Sequence, residues 1–289
     1  MNNSKSRKKR LFLFAGYDAH GIIDAAEVMY VRALAAAGDV VYIMDSDVSA
    51  DMLARVREIP NVIYASAARH GEYDFGSYKR GYEYARDAKI LGNYDFVYLV
   101  NDSVYGPLSD LTPTLIQMED KNTDAFGPVL HPDSKGIYIQ SWFIGMRKTV
   151  FMSAWFDKFM SSIRRQPDKG TVIYFYERGF TQALIRHKMS FAGLYSCAGR
   201  SIYNAIKKLY KAGLPFIKRS AFTRRHGALG RQLGYVLGHV PNDVRAAILE
   251  NANRTLGAQN VSRLLTRNPI KIAYRNIAHA ARKVFIEGI

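Results

Sequence analysis

Cysteine is almost absent from this chain: Cys197 is the only one in 289 residues. No disulfide can form within the chain, and no zinc site can be built on paired cysteines. That usage fits a reducing compartment. Long hydrophobic runs are missing as well. The most apolar stretch, residues 136–146, falls far short of the about 20 residues that a membrane span needs. The opening MNNSKSRKKR is basic, but the LFLFAG behind it is shorter than a signal-peptide core of roughly 7–15 residues, and no small-residue cleavage pattern follows. The expectation is a soluble cytoplasmic protein, or one bound to a membrane surface. Familiar catalytic signatures are missing too. The sequence has no GxSxG elbow, no Walker loop, no GxGxxG and no HExxH among its seven histidines, so hydrolase, P-loop, Rossmann dinucleotide and zincin readings lack support.

Acidic residues are scarce, 25 against 41 basic ones, for a formal net charge of +16. The excess is not spread evenly. Residues 1–10 hold five basic groups and no acid, and residues 220–289 hold eleven against three. The 11–219 body is nearly balanced. Charge gathered at two ends points to an anionic surface, either membrane headgroups or nucleic acid. Nucleic acid is the weaker of the two, because no zinc-finger spacing, RNA-binding aromatic signature or helix-turn-helix pattern accompanies the charge.

What is present is an apolar content of 48%, enough for a sizeable core. Residues 11–16 form a continuous apolar run, expected as a buried strand. A helix is expected over 24–37, a strand over 40–44, a helix over 49–59 and a short strand over 62–65. A helix over 77–91 and a strand over 94–100 follow. This alternation predicts a mostly parallel sheet covered by helices. Further on, the pattern gives strands at 124–129 and 136–144, helices at 148–165 and 177–188, and a strand at 191–195. The character changes after Lys218: short helical stretches, many arginines, and glycine or proline breaks. The expected division is a basic tail at 1–10, an α/β domain at 11–219 and a basic helical appendage at 220–289.

Three segments could carry chemistry. Asn101-Asp102-Ser103 follows the strand at 94–100, and ligands of open α/β sheets bind at such carboxyl ends. A carboxylate there can hold a hard divalent cation, which would neutralise a diphosphate leaving group; ordinary turn chemistry explains the same three residues. Residues 73–81, YDFGSYKRG, place an acid, two glycines and two cations around a helix start. That arrangement favours anions, though Ser77 acting as a cap with Lys79 and Arg80 in solvent is the commoner explanation. Glu177 lies among the aromatics of YFYERGFTQ, where desolvation raises a carboxylate pKa and makes a base. A helix start whose dipole favours an acid is the plain alternative.

LFLFAGYDAHG, YDFGSYKRGY, YDFVYLVNDSVYGPL, IYIQSWFIGMRKTVF, YERGFTQAL and LPFIK occur in this order over residues 11–218. Together they resemble the rhamnan synthesis protein F family, bacterial glycosyltransferases of cell-surface polysaccharide and lipopolysaccharide assembly. The resemblance implies a GT-A-like fold and transfer of a sugar, rhamnose foremost, from a nucleoside diphosphate such as dTDP to a lipid-linked glycan. It implies nucleoside contacts at Tyr17, Asp18 and Asp45. Asp74, Gly76 and Lys79 would fall in the loop that approaches the donor, beside Asn101. A divalent cation, Mg2+ or Mn2+, would sit on Asp102 and Ser103. Gln140, Ser141 and Trp142 would line the acceptor pocket. Glu177 would be the base of an inverting displacement, with Asp74 the other carboxylate in a family-like motif.

Two departures stand out. Ser103 replaces a second carboxylate, which makes the metal weak or dispensable and leaves room for a non-catalytic sugar-nucleotide-binding module. His70-Gly71-Glu72 stands where the family often carries Asn-x-Gly. The basic ends would face the inner leaflet of the cytoplasmic membrane. A C-terminal stripe of Ile270, Ala273, Ile277, Ala281 and Val284, flanked by Lys271, Arg275, Arg282 and Lys283, has the basic amphipathic pattern of a surface helix. No nucleic-acid partner is implied.

Overall fold

The computed structural model describes residues 8–223 and 228–266, with 268, 270, 273 and 277 beyond them. The chain divides into two compact units. The first comprises the residues up to Ile23, Tyr30–Asp102 and Asp110–Ala198. The second comprises Asp24–Met29, Ser103–Ser109 and the described residues from Gly199 onward. It therefore takes in more of the chain than the 220–289 appendage.

The strands are β1 Arg10–Gly16, β2 Asp39–Met44, β3 Val62–Ala67, β4 Phe96–Asn101, β5 Val104–Tyr105, β6 Ala125–Asp133, β7 Gly136–Ile139, β8 Phe143–Arg147, β9 Phe191–Ser196 and β10 Ile217–Lys218. Eight of them form one sheet in the order β3-β2-β1-β4-β8-β6-β7, with β9 added to β6. β1, β2, β3 and β4 pair in parallel, and so do β6 and β9, whereas β4–β8, β6–β8 and β6–β7 are antiparallel. The expected mostly parallel α/β sheet is present. Every residue of β1 and β4 is buried, as expected of strands covered on both faces.

The helices of the first unit are α1 Ala25–Ala37, which starts in the second unit, α2 Ala50–Arg57, α3 Tyr73–Asp87, α4 Thr112–Glu119, α5 Lys148–Phe151, α6 Ala154–Ser161, α7 Lys169–Val172 and α8 Arg178–Arg186. α3 lies on β1 and β2 through Phe75, Tyr78, Tyr82 and Ala85, which join Leu11, Leu13, Val41 and Leu99 in the core.

Local differences from the sequence pattern have identifiable causes. The run read as one strand over 136–144 is two, because Gln140, Ser141 and Trp142 turn the chain from its pairing with β6 to a pairing with β4. The helix read over 148–165 breaks after Met152, where Ser153 accepts the Phe156 N–H at 3.2 Å and starts α6 afresh. The helix read from 177 begins much earlier. Asp168 caps α7 by accepting the Thr171 N–H at 2.8 Å, and a π-turn, Ile173–Glu177, joins α7 to α8. Glu177 is thus interior to a longer helix, and the helix-start explanation for it falls.

In the second unit, α9 Ser201–Asn204, α10 Ile206–Lys211, α11 Leu229–Leu237, α12 Asn242–Leu256 and α13 Ala258–Leu265 pack around Leu229, Leu233, Val236, Ile248 and Val261. β5 and β10 make a two-stranded antiparallel sheet there. Asp24 is buried and accepts from Asn251 and, at 2.9 Å, from Arg254. Burial opposes its ionisation, but these bonds, the Glu27 N–H and the nearby Arg219 outweigh it and hold the carboxyl below its usual range. Of the C-terminal stripe, Ile270, Ala273 and Ile277 are helical and exposed; its other members lie outside the described residues. Among the described residues, no helix is long and apolar enough to cross a membrane.

Candidate active site

Three parallel strands, β1, β2 and β4, end on the same side, and the candidate residues gather at their carboxyl ends in two hydrogen-bonded groups. One forms where β1 and β2 end. Asp18 is buried, and its Oδ1 accepts the His20 and Ile22 N–H groups at 2.9 and 3.2 Å. Ser46 Oγ donates to the Asp18 carbonyl at 2.6 Å. Asp45 Oδ1 accepts the His70 and Gly71 N–H groups at 2.7 and 2.9 Å. Both acids thus shape the loops around them by binding backbone donors. Tyr17 is 51% exposed, and its N–H faces Asp102 Oδ2 at 3.4 Å.

His70 links this group to α3. Its Nδ1 accepts the Glu72 N–H at 3.1 Å, and Nε2 meets Ser77 Oγ at 3.0 Å. A ring that accepts at Nδ1 is neutral with its proton on Nε2. Asp45 Oδ2, 3.5 Å from Nδ1, does not reverse this. Burial is the largest influence and lowers the His70 pKa; Asp45 pulls the other way, and Arg80 adds to the lowering. Ser77 is fully buried rather than a cap, and Arg80 pairs with Glu72. Gly76 is required at this spot, since a Cβ would lie 2.3 Å from Glu72 Cβ and 2.9 Å from His70 Cε1. Lys79 Nζ donates to the Ile163 carbonyl at 3.0 Å, just beyond α6.

The second group forms where β4 ends. Asn101 is buried, and its Nδ2 donates to Asp74 Oδ2 at 2.8 Å. Its backbone N–H donates to the Trp142 carbonyl at 3.1 Å. Tyr78 donates to the Ser141 carbonyl at 2.9 Å. Burial, reinforced by the Asp74 charge, pushes its phenol well above its usual pKa and keeps it a donor. Ser141 Oγ donates to Glu177 Oε2 at 2.6 Å. Trp142 Nε1 donates to Gln140 Oε1 at 2.7 Å. Asp74, Asn101, Ser141 and Glu177 are therefore drawn into one network through Tyr78. Gln140, Ser141 and Trp142 are themselves buried and act as its frame. Tyr78 and His70 are the members that sequence reasoning left without a role. Tyr78 stood inside YDFGSYK, and His70 entered only within a departure from the family pattern.

Of the implied metal pair, Asp102 supplies the carboxylate. Magnesium-type ions at phosphates are held by one or two carboxylates, and Asp102 offers one. Ser103, the second position, accepts the Lys218 ammonium at 2.9 Å. Among the described residues, no group of three or more His, Cys, Asp or Glu could hold a metal ion.

Ligands of open α/β sheets bind at the carboxyl ends of the strands, and the carboxylate network lies there. The sequence model of the rhamnan synthesis protein F family matches residues 40–286, and the chain belongs to that family. A chain from Desulfovibrio desulfuricans, described as a nucleotide-diphospho-sugar transferase, is 16% identical, over 80% of this chain and 98% of that one, with a TM-score of 0.41. A glycosyltransferase involved in glycosylation of the PBCV-1 major capsid is 11% identical, over 73% and 93%, at 0.39. Core-mannan synthase A of Aspergillus fumigatus, in an Mn/GDP form, is 11% identical, over 69% and 75%, at 0.33. No curated protein matches the chain.

Proposed function

We propose that the protein is an inverting GT-A-like glycosyltransferase that moves rhamnose from a nucleoside diphosphate donor, dTDP-rhamnose first among them, onto a lipid-linked cell-surface glycan. The observation that carries this reading is the placement of Glu177. Ser141 holds its carboxylate in the network that also contains Asp74 and Asn101 at the β4 end. Glu177 takes the proton of the acceptor hydroxyl as that oxygen attacks the anomeric carbon. The bond from the anomeric carbon to the diphosphate breaks on the opposite face. Asp74, fixed by Asn101, and the loops shaped by Asp18 and Asp45 line the donor side. Ser141, backed by Gln140 and Trp142, orients Glu177 toward the acceptor.

The protein works at the inner face of the cytoplasmic membrane, where its basic C-terminal stretch meets anionic lipid. The exposure of Ile270 and Ile277, 78% and 69%, supports this. A thermal-shift screen of nucleotide sugars tests the reading. A donor at 100 times its dissociation constant adds about 2.7 kcal/mol of stability. Stabilisation by dTDP-rhamnose above the other donors is expected; a chain indifferent to all of them would refute the proposal.

A further inference from the structure

Gln140, Ser141 and Trp142 are buried, so they frame Glu177 and leave the acceptor to be met by other side chains. The exposed side chains of the Glu177 segment are aromatic. Tyr174 and Phe175 stand three and two residues before it in the π-turn Ile173–Glu177, and they are 57% and 53% exposed. Val172, Tyr176 and Phe180 of the same segment enter the core, which turns residues 174 and 175 outward. Residues three apart on a helical turn are neighbours, so Tyr174 and the proposed base share one turn. The two rings meet edge to face, with centroids 5.2 Å apart at 79°. Lys135, exposed in the turn between β6 and β7, places its ammonium 5.5 Å from the centre of the Tyr174 ring. Arg178 holds that turn against α8: its Nη1 donates to Asp133 Oδ1 at 3.1 Å, and its guanidinium lies 4.8 Å from the centre of the Tyr138 ring. All of these residues belong to the first unit.

We infer that Tyr174 and Phe175 form the platform on which a sugar ring of the acceptor glycan stacks, with Lys135 donating to its hydroxyl oxygens. The inference rests on the glycosyltransferase reading and assigns its acceptor surface. Contiguous exposed apolar surface marks an interaction site, whereas isolated apolar residues do not. The chemistry of this surface selects a sugar. The ring carbons of a pyranose carry oxygen, which leaves their C–H hydrogens slightly positive. The face of an aromatic ring is negative and complements them. A lysine ammonium supplies three donors and no acceptor, which suits hydroxyl oxygens at the rim of the stacked ring. A sugar on this platform presents its hydroxyls along the turn that carries Glu177, the group that takes the proton in the proposed reaction.

The test is saturation-transfer NMR of the full chain with the methyl glycosides of rhamnose, mannose, glucose and galactose, for wild type, Tyr174→Ala, Phe175→Ala and Tyr174→Phe. Calorimetric titration of each chain with UDP, GDP and dTDP runs beside it. Wild type is expected to bind at least one glycoside. Tyr174→Ala and Phe175→Ala should each lose about three- to tenfold in that affinity, the worth of one aromatic contact. Tyr174→Phe keeps its ring and should keep most of the affinity. Nucleoside diphosphate affinity should not move. Both truncated side chains are exposed, so the variants are expected to fold; if one does not, the other decides. Undiminished glycoside affinity in the folded alanine chains overturns the inference, as does a wild type that binds none of the glycosides. A loss of nucleoside diphosphate affinity in place of glycoside affinity overturns it too, and assigns the rings to the base of the donor. The nucleotide arm separates the two claims. Glycoside binding that the alanine chains lose, with no nucleoside diphosphate bound by wild type, upholds the platform and refutes the nucleotide-sugar reading instead.

Discussion

Glu177 closes a π-turn, and such turns occur mostly as local insertions in helices, often at functional sites. In the proposed mechanism its carboxylate removes a proton. Glu177→Gln keeps size and hydrogen-bonding reach but removes the base. Turnover should fall by about 10²–10⁴-fold, with donor affinity nearly unchanged; single-turnover kinetics and donor-induced thermal shift on the same variant check this. His70 gives a second prediction. Above its unperturbed value of 6.5, folded and unfolded chains both hold a neutral imidazole and the group is silent. Below 6.5 the unfolded chain takes a proton that the buried ring resists, because the folded pKa is lowered. Stability should therefore fall as the pH drops from 6.5 toward the folded value. Urea unfolding at pH 7.5 and 5.5 should show this, with a smaller difference in His70→Gln. Glu177 and Asp74 were legible as carboxylates in unusual company. His70 was not, because its partners Asp45 and Ser77 lie 25 and 7 residues away and no short pattern joins them.

At the level of elements, the parallel strands could be read from their apolar runs, since a strand buried on both faces needs no alternation. The connections could not. Gln140-Ser141-Trp142 turns the chain between two strands, yet two polar residues inside an otherwise apolar run carry no glycine or proline to announce a turn. β5 and β10 are two residues each and are defined only by pairing with one another across more than a hundred residues. Their junction yields a third prediction. Gly106 has a φ of +146°, and a Cβ there would lie 2.5 Å from the Pro215 carbonyl oxygen and 2.6 Å from the Phe216 ring. Gly106→Ala should therefore cost about 1–3 kcal/mol, read as a lowered melting temperature.

On the scale of the whole molecule, the sequence places its charge at the two ends, and that much was visible from composition. The second unit was only partly visible. It recruits residues 24–29 and 103–109 through buried contacts such as Asp24 with Asn251 and Tyr105 with Asn251, which no local pattern announces. The basic C-terminal stretch gives a fourth prediction. A chain ending at residue 266 should lose most of its sedimentation with vesicles rich in anionic lipid, while the full chain binds and is released by salt. Equal binding by both chains would remove the tail as an anchor. The central claim, sugar transfer with Glu177 as base, is tested most directly by proton NMR of nucleotide sugars incubated with wild type and Glu177→Gln side by side. The account predicts that wild type releases nucleoside diphosphate from one donor and gives an initial sugar product of inverted anomeric configuration, while Glu177→Gln binds that donor without turning it over. Turnover by Glu177→Gln at the wild-type rate, or a product of retained configuration, would contradict it.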